Sequence, residues 1–109
     1  MRPKLNDLDP HSVKKLIDGQ DAELIDVRER EEFDQEYIPR AKLYPTSLFE
    51  PHKMVAVKDK KVIFYCKSGG RSAWAAMQWA GHYQLPECYH LQGGIIEWKK
   101  AGLPTLSPF

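Results

Sequence analysis

Short apolar runs alternating with helical stretches predict an α/β domain with a mainly parallel central sheet of about five short strands and helices on both faces. Two observations carry that reading. KKVIFYC, residues 60–66, is β-branched and aromatic and apolar on both faces, as a strand covered from two sides must be. Each apolar run is followed within a few residues by a stretch with helical spacing or helix punctuation, the order that builds parallel sheets.

The elements follow in turn. LDPHSVKKLIDGQ predicts a helix with Asp9 as N-cap, Pro10 in the first turn, Gly19 as the stop and Val13, Leu16 and Ile17 as its apolar stripe. AELIDV is a short strand, and EREEFDQEY a brief helix that must end before Pro39. AKLYP is a second short extended piece. TSLFEPHKMVAV opens like a helix, but Pro51 breaks any single clean one. After KKVIFYC comes a helix over residues 71–81 with Gly81 as its end, then the strand ECYHL, then a helix in GGIIEWKKAGLP closed by Gly102 and Pro104. The tail TLSPF is expected to be loosely held.

At 109 residues the chain reads as one domain, 1–109, large enough to bury a core without staples. Its 42% hydrophobic and 28% charged residues are those of an ordinary globular protein. A formal charge of +1 gives no concentrated basic face, so neither nucleic acid nor a membrane surface is expected as a partner. No apolar run approaches the roughly 18 residues that span a bilayer, and MRPKLNDLDP has no signal-like apolar segment, so a cytoplasmic location is expected. In a reducing compartment the two cysteines, Cys66 and Cys88, are better explained separately than as a disulfide.

Cys66 ends the strongest strand and opens CKSGGRS. In parallel sheets ligands bind beyond the carboxyl ends of strands, where loops enter helix N-termini. The successive N–H groups of Lys67, Ser68, Gly69, Gly70, Arg71 and Ser72 can fold into a nest around an anion, with the positive end of the next helix aimed at the sulfur. Such a setting favours thiolate over thiol. Gly69 and Gly70 let the backbone turn tightly, and Arg71 offers a planar fork to a carboxylate or oxyanion. A cysteine at a strand end is by itself usually a small core residue; the glycine-rich, cationic turn behind it favours a reactive thiol.

LIDVREREEF, IPRA, VIFYCKSGGRSAWAA and YHLQGGIIEWKKAGLP, in this order, resemble the landmarks of a single-domain rhodanese over nearly the whole chain. The resemblance implies a rhodanese-like three-layer domain and a sulfurtransferase. Cys66 is then the nucleophile that takes a sulfane sulfur from thiosulfate or another persulfide and passes it to cyanide or a thiol, which includes a protein thiol. Lys67 adds positive charge at the mouth, with a solvated surface lysine as the plain alternative. The resemblance also places Asp26 beneath the loop as the partner of Arg71, and Arg28 at the pocket rim or in a surface salt bridge. Glu32 and Phe33 match an acid-aromatic landmark of structural support, and Gly93 and Gly94 let the last helix pass close to the loop. One landmark departs from the pattern. Where rhodaneses commonly carry Gly-His-Ile-Pro-Gly-Ala, this chain has Glu36 to Ala41, and Arg40 either extends the positive field of the pocket or points into water.

No cofactor or metal is expected, because His11, His52, His82 and His90 are scattered without zinc-ligand spacing. Cys88, away from any glycine-rich turn, reads as a core or partly exposed thiol, with a resolving role towards Cys66 as the alternative. Trp74 is a core or rim residue close enough to the loop to wall the pocket. Two rival functions stand beside the sulfurtransferase: a cysteine phosphatase or arsenate reductase, and a non-catalytic rhodanese-like binding module. Four residues separate Cys66 from Arg71, whereas the phosphatase signature has five, and the tighter loop suits a sulfur atom better than a phosphoryl group.

Overall fold

A computed structural model describes residues 2–54 and 59–108. Among these residues five strands, β1 (Lys4–Leu8), β2 (Ala22–Asp26), β3 (Lys42–Leu43), β4 (Lys61–Tyr65) and β5 (Glu87–Leu91), form one sheet in the order β1-β5-β4-β2-β3. All the pairings in the sheet are parallel. Among the described residues, the helices α1 (Pro10–Asp18), α2 (Arg30–Gln35) and α3 (Gly70–His82) lie between strands in sequence, and α4 (Gly94–Lys100) follows β5.

The sheet is covered on both faces because its central strand β4 alternates two apolar sets. Ile63 and Tyr65 pack with Leu24 and Leu91 under Val13 and Ile17 of α1 and Ile95 and Trp98 of α4. Val62, Phe64 and Cys66 face the other way, against Ala75, Ala76, Trp79 and Ala80 of α3. The alanines of α3 let its backbone come close to the strands, and Trp79 hydrogen-bonds the Met54 carbonyl at 2.8 Å from within that layer.

Helix starts follow the sequence closely: Asp9 accepts from the Ser12 N–H at 3.2 Å, and Pro10 occupies the first turn of α1. Helix ends are shifted. In α1 the left-handed residue is Gln20 (φ 60°) rather than Gly19 (φ −79°), and the Asp21 N–H reaches back to Leu16 at 2.9 Å. In α3 Gly81 stays helical, and Gln84 (φ 54°) makes the turn, with the Leu85 N–H on the Ala80 carbonyl at 2.9 Å. Only α4 ends on its expected glycine, Gly102 (φ 78°).

Three further differences concern the margins. β1 was not anticipated: KLNDL has no buried position and no apolar alternation, and it is a strand because it pairs along its whole length with β5. The Thr46 to Lys53 stretch forms two short 3₁₀ turns, Thr46–Leu48 and Pro51–Lys53, parted before the proline as Pro51 requires; the Val55 to Val57 end of that run lies outside the described residues. The tail is held rather than loose: Leu106 exchanges backbone hydrogen bonds with Tyr37 at 2.8 and 2.9 Å, and Thr105 donates to Glu36 at 2.6 Å. No helix among the described residues is long and apolar enough to cross a membrane.

Candidate active site

Cys66 follows directly on β4, and its loop runs into the first turn of α3 at Gly70. The sulfur accepts the Gly69 N–H at 3.1 Å and the Ser72 N–H at 3.4 Å, and lies 3.5 Å from the Ser72 hydroxyl. Burial alone, with the residue 1% exposed, pushes the thiol up. The hydrogen bonds from the Ser72 side chain and from the backbone of Ser72, Gly69 and Ser68 outweigh that, and hold it below an ordinary cysteine. The sulfur is therefore buried under polar donors of its own loop, not in hydrocarbon alone.

Two glycines make this geometry possible. Gly69 has φ 119°, which side-chain-bearing residues rarely adopt. Gly94 has φ 63°, and a Cβ there would stand 2.4 Å from the carbonyl oxygens of both Cys66 and Lys67. Because Gly94 lets α4 approach so closely, its first amides bind those carbonyls: Ile95 N–H to Cys66 at 3.0 Å and Ile96 N–H to Lys67 at 3.3 Å. Holding these carbonyls outward leaves the loop's N–H groups for the sulfur side. Gly94 thus brings the last helix against the loop, whereas a Cβ on Gly93 would meet the Glu97 side chain of its own helix. Lys67, Ser68 and Gly70 are exposed on the outer surface of the loop.

The charged residues around the loop are paired differently from expectation. Arg71 does not reach Asp26. Its guanidinium binds Glu32 of α2 with both prongs, at 2.7 and 3.0 Å, and this hydrogen bonding draws the Glu32 carboxyl down to about 2. Asp26 continues the alternation of Leu24 and pairs in register with Tyr65, so its side chain belongs to the sheet face opposite α3. There it binds Arg28, which is neither at the rim nor at the surface but 5% exposed. The Arg28 Nε and Nη2 donate to the Asp26 carboxylate at 3.0 and 2.7 Å, Nη2 also reaches the Glu36 carbonyl at 2.7 Å, and the guanidinium lies 5.5 Å above the Tyr65 ring. Burial opposes the Arg28 charge, but the hydrogen bonds and attraction of Asp26 prevail and raise its pKa. Asp26 and Arg28 are a buried strut of the neighbouring strand end, one layer removed from the sulfur.

Arg40 is exposed, as the second of its two expected roles has it, and it also makes a local contact. It adopts φ 72° where the family's pattern has a glycine, and its Nη1 caps the C-terminal end of α1 on the Ile17 carbonyl at 3.2 Å. Trp74 is 49% exposed at the start of the second turn of α3, edge-on to Phe49 with ring centres 6.0 Å apart. Cys88 is buried beside Met77, with 3.6 Å between the sulfurs, and burial followed by the charge of Glu87 pushes its thiol up to about 11. No cluster among the described residues has the makings of a metal site. A depression of about 560 Å³ lies by Lys61, Val62 and Glu87, at the opposite ends of β4 and β5 from Cys66.

Sequence reasoning missed His90 and Asp7. The Ser72 hydroxyl lies 2.9 Å from His90 Nδ1, and His90 Nε2 lies 2.5 Å from the Asp7 carboxylate. No zinc-like spacing surrounds His90, and Asp7 stands in a segment without a strand signal of its own.

A doubly covered parallel sheet with a cysteine loop at a strand's carboxyl end defines a class of α/β proteins, and comparison narrows it. The Rhodanese-like domain family matches residues 9–101, and the chain belongs to that family. It is 36% identical over 107 residues to a sulfurtransferase of Allochromatium vinosum, covering 95% of this chain and 97% of that protein. It is 32% identical over 110 residues to the tRNA uridine(34) hydroxylase of Escherichia fergusonii, covering 92% of this chain but only 31% of that protein. Among solved structures, a rhodanese-related protein of Thermoplasma volcanium superposes with a TM-score of 0.76 at 27% identity, covering 93% of this chain and 97% of that one. Family membership together with a sulfurtransferase relative of matching length supports sulfurtransferase chemistry in general.

Proposed function

We propose that the protein is a sulfurtransferase that works through a persulfide on Cys66. The observation that carries this reading is the pair of backbone N–H groups, from Gly69 and Ser72, on the Cys66 sulfur at the start of α3. They favour the anionic form that attacks, and then the anionic form that carries the transferred atom. With thiosulfate, the Cys66 thiolate attacks the outer sulfur, the sulfur–sulfur bond of the donor breaks, and sulfite leaves with the electron pair. The resulting Cys66 persulfide anion is attacked at its outer sulfur by cyanide or by an acceptor thiolate. Thiocyanate or a new persulfide departs, and the Cys66 thiolate returns.

Lys67 and the remaining loop amides of Ser68, Gly70 and Arg71 line the approach in this scheme. The first amides of a helix have no intrahelical acceptor by position, which suits them to an incoming anion. Arg71, anchored by Glu32 and still 36% exposed, offers its positive charge to the same anion without wandering. Asp26 and Arg28 support the strand end beside the loop. Location in the cytoplasm and a low-molecular-weight or protein thiol as acceptor belong to the same proposal.

The test is to incubate the protein with thiosulfate and follow its intact mass. One added sulfur on Cys66, removed by cyanide with release of thiocyanate and absent from Cys66→Ser, is the expected result. Thiocyanate production at an undiminished rate by Cys66→Ser, or hydrolysis of aryl phosphates without any persulfide, overturns the proposal.

A further inference from the structure

Cys66 is 1% exposed, so a proton leaving its sulfur needs a path to water. The polar groups behind it form one. Ser72, fully buried, lies 3.5 Å from the sulfur and 2.9 Å from His90 Nδ1. His90, 5% exposed, lies 2.5 Å from the carboxylate of Asp7, whose side chain is 52% exposed. The chain sulfur, hydroxyl, imidazole, carboxylate thus runs from the buried sulfur to solvent without a gap. It runs along the α3 face of the sheet to its β1 edge, because His90 is the register partner of Phe64 on β4 and of Asp7 on β1.

We propose that Ser72, His90 and Asp7 form a proton relay that takes the Cys66 proton and turns the Ser72 hydroxyl towards the sulfur once it is an anion. This rests on the reading of Cys66 as the working thiol. The hydroxyl has one hydrogen and three acceptors within reach: Nδ1, the sulfur, and the Gly69 carbonyl at 3.1 Å. While Nε2–H donates to Asp7, Nδ1 holds a lone pair, Ser72 donates to it, and the Ser72 oxygen accepts the Cys66 S–H. In the transfer the S–H bond breaks as a new Oγ–H bond forms, and the old Oγ–H bond breaks as an Nδ1–H bond forms. A neutral thiol and imidazole become a thiolate and an imidazolium, with no net change in charge. Nδ1–H now donates to the Ser72 oxygen, so the hydroxyl hydrogen that came from sulfur points back to it as a third donor beside the Gly69 and Ser72 amides. The Asp7 carboxylate stabilises the imidazolium.

His90 is positioned for this role and has few competing charges. From β1 it meets Asp7, and from the loop and α3 it meets Ser72 and, through it, Cys66. Its register partner on β4 is the apolar Phe64. In the relay His90 and Asp7 act through Ser72 and touch no substrate, which makes them positioning residues.

The test is the pH profile of Cys66 alkylation by iodoacetamide, read by peptide mass on the full chain, for the wild type, His90→Asn and Asp7→Asn. Asparagine keeps a hydrogen-bonding atom near the place of Nδ1 but takes no proton. For His90→Asn the midpoint of the thiolate rise is expected to move up by about one pH unit, with about tenfold slower alkylation at pH 7. Asp7→Asn is expected to shift in the same direction by less. An unchanged profile in His90→Asn, or a uniform loss of rate at every pH with the midpoint in place, overturns the relay. A second measurement needs no variant: the ¹⁵N-detected titration of the His90 imidazole, before and after Cys66 is alkylated. The relay requires the two midpoints to differ, and equal midpoints overturn it. Alkylation needs no sulfur donor, so the outcomes separate. A shifted profile with no thiosulfate-derived persulfide sinks the sulfurtransferase reading alone, and a normal persulfide with an unshifted profile sinks the relay alone.

Discussion

Arg71 lies in a two-pronged ion pair with Glu32, at 2.7 and 3.0 Å, and so fastens the first turn of α3 to α2. Glu32 is itself set by the start of its helix, where it accepts the Glu29 N–H at 3.1 Å. The arginine of the cysteine loop is therefore aimed from the side, by a carboxylate 39 residues earlier in the chain.

This pair has a signature in acid. Hydrogen bonding from Arg71 lowers the Glu32 carboxyl from 4.5 to about 2, so its contribution is complete above pH 4.5 and is lost as pH falls towards 2. With both side chains about a third exposed, solvent screens the pair, and Glu32→Gln is expected to cost about 1 kcal/mol or less near neutral pH. Urea unfolding across a pH series should show the gap between wild type and Glu32→Gln closing through that window. A gap that stays constant down to pH 2 contradicts the pairing.

The Asp26–Arg28 strut is buried, and its loss behaves differently. Asp26→Ala leaves the Arg28 guanidinium, 5% exposed, without its carboxylate, and is expected to destabilise by about 3–5 kcal/mol. Replacing both residues with apolar ones of similar volume should recover much of that. Equilibrium denaturation of the single and double variants checks it, and a single variant within 1 kcal/mol of wild type, roughly the median for a surface pair, disagrees with a buried one.

Gly94 controls the loop from the far side. A Cβ there meets the Cys66 and Lys67 carbonyl oxygens at 2.4 Å, so Gly94→Ala must push α4 and the loop apart. Sulfur loading from thiosulfate is expected to fall at least tenfold, about 1.4 kcal/mol in barrier. Gly81→Ala, with nothing within 4 Å of its Cβ and away from the cysteine loop, is the control and should load normally. Equal loading by the two variants rules out the steric account.

The two thiols should separate by rate. Cys66 is held below an ordinary cysteine by its loop's hydrogen bonds, whereas burial pushes Cys88 up to about 11. At pH 8 iodoacetamide should label Cys66 well before Cys88, as read from peptide masses over time. Comparable rates would remove the case for an activated thiol.

Much of this protein can be read in its residues. The strand before Cys66 is apolar from Val62 to Tyr65 because both of its faces are covered, and the helix after it announces itself by glycine, arginine and serine at its first turn. The helix ends are less legible, since Gln20 and Gln84 take the left-handed turns that Gly19 and Gly81 advertise. Asp26 and Arg71 show how a correct landmark can carry a wrong contact. Both lie at carboxyl-end positions of the sheet, but strand alternation turns Asp26 towards Tyr65, and the arginine finds Glu32 instead.

The sequence alone determined what depends on near neighbours in the chain: the alternation of strands and helices, the tight turn after Cys66, and the amides that surround its sulfur. Tertiary structure decided which charges meet and what stands behind the sulfur. His90 and Asp7 are 83 residues apart and become neighbours only when the polar segment Lys4–Leu8 is drafted as the strand beside β5. A strand made by its partner's hydrogen bonds rather than by its own side chains leaves no pattern in sequence, and the polar path it completes is equally invisible there.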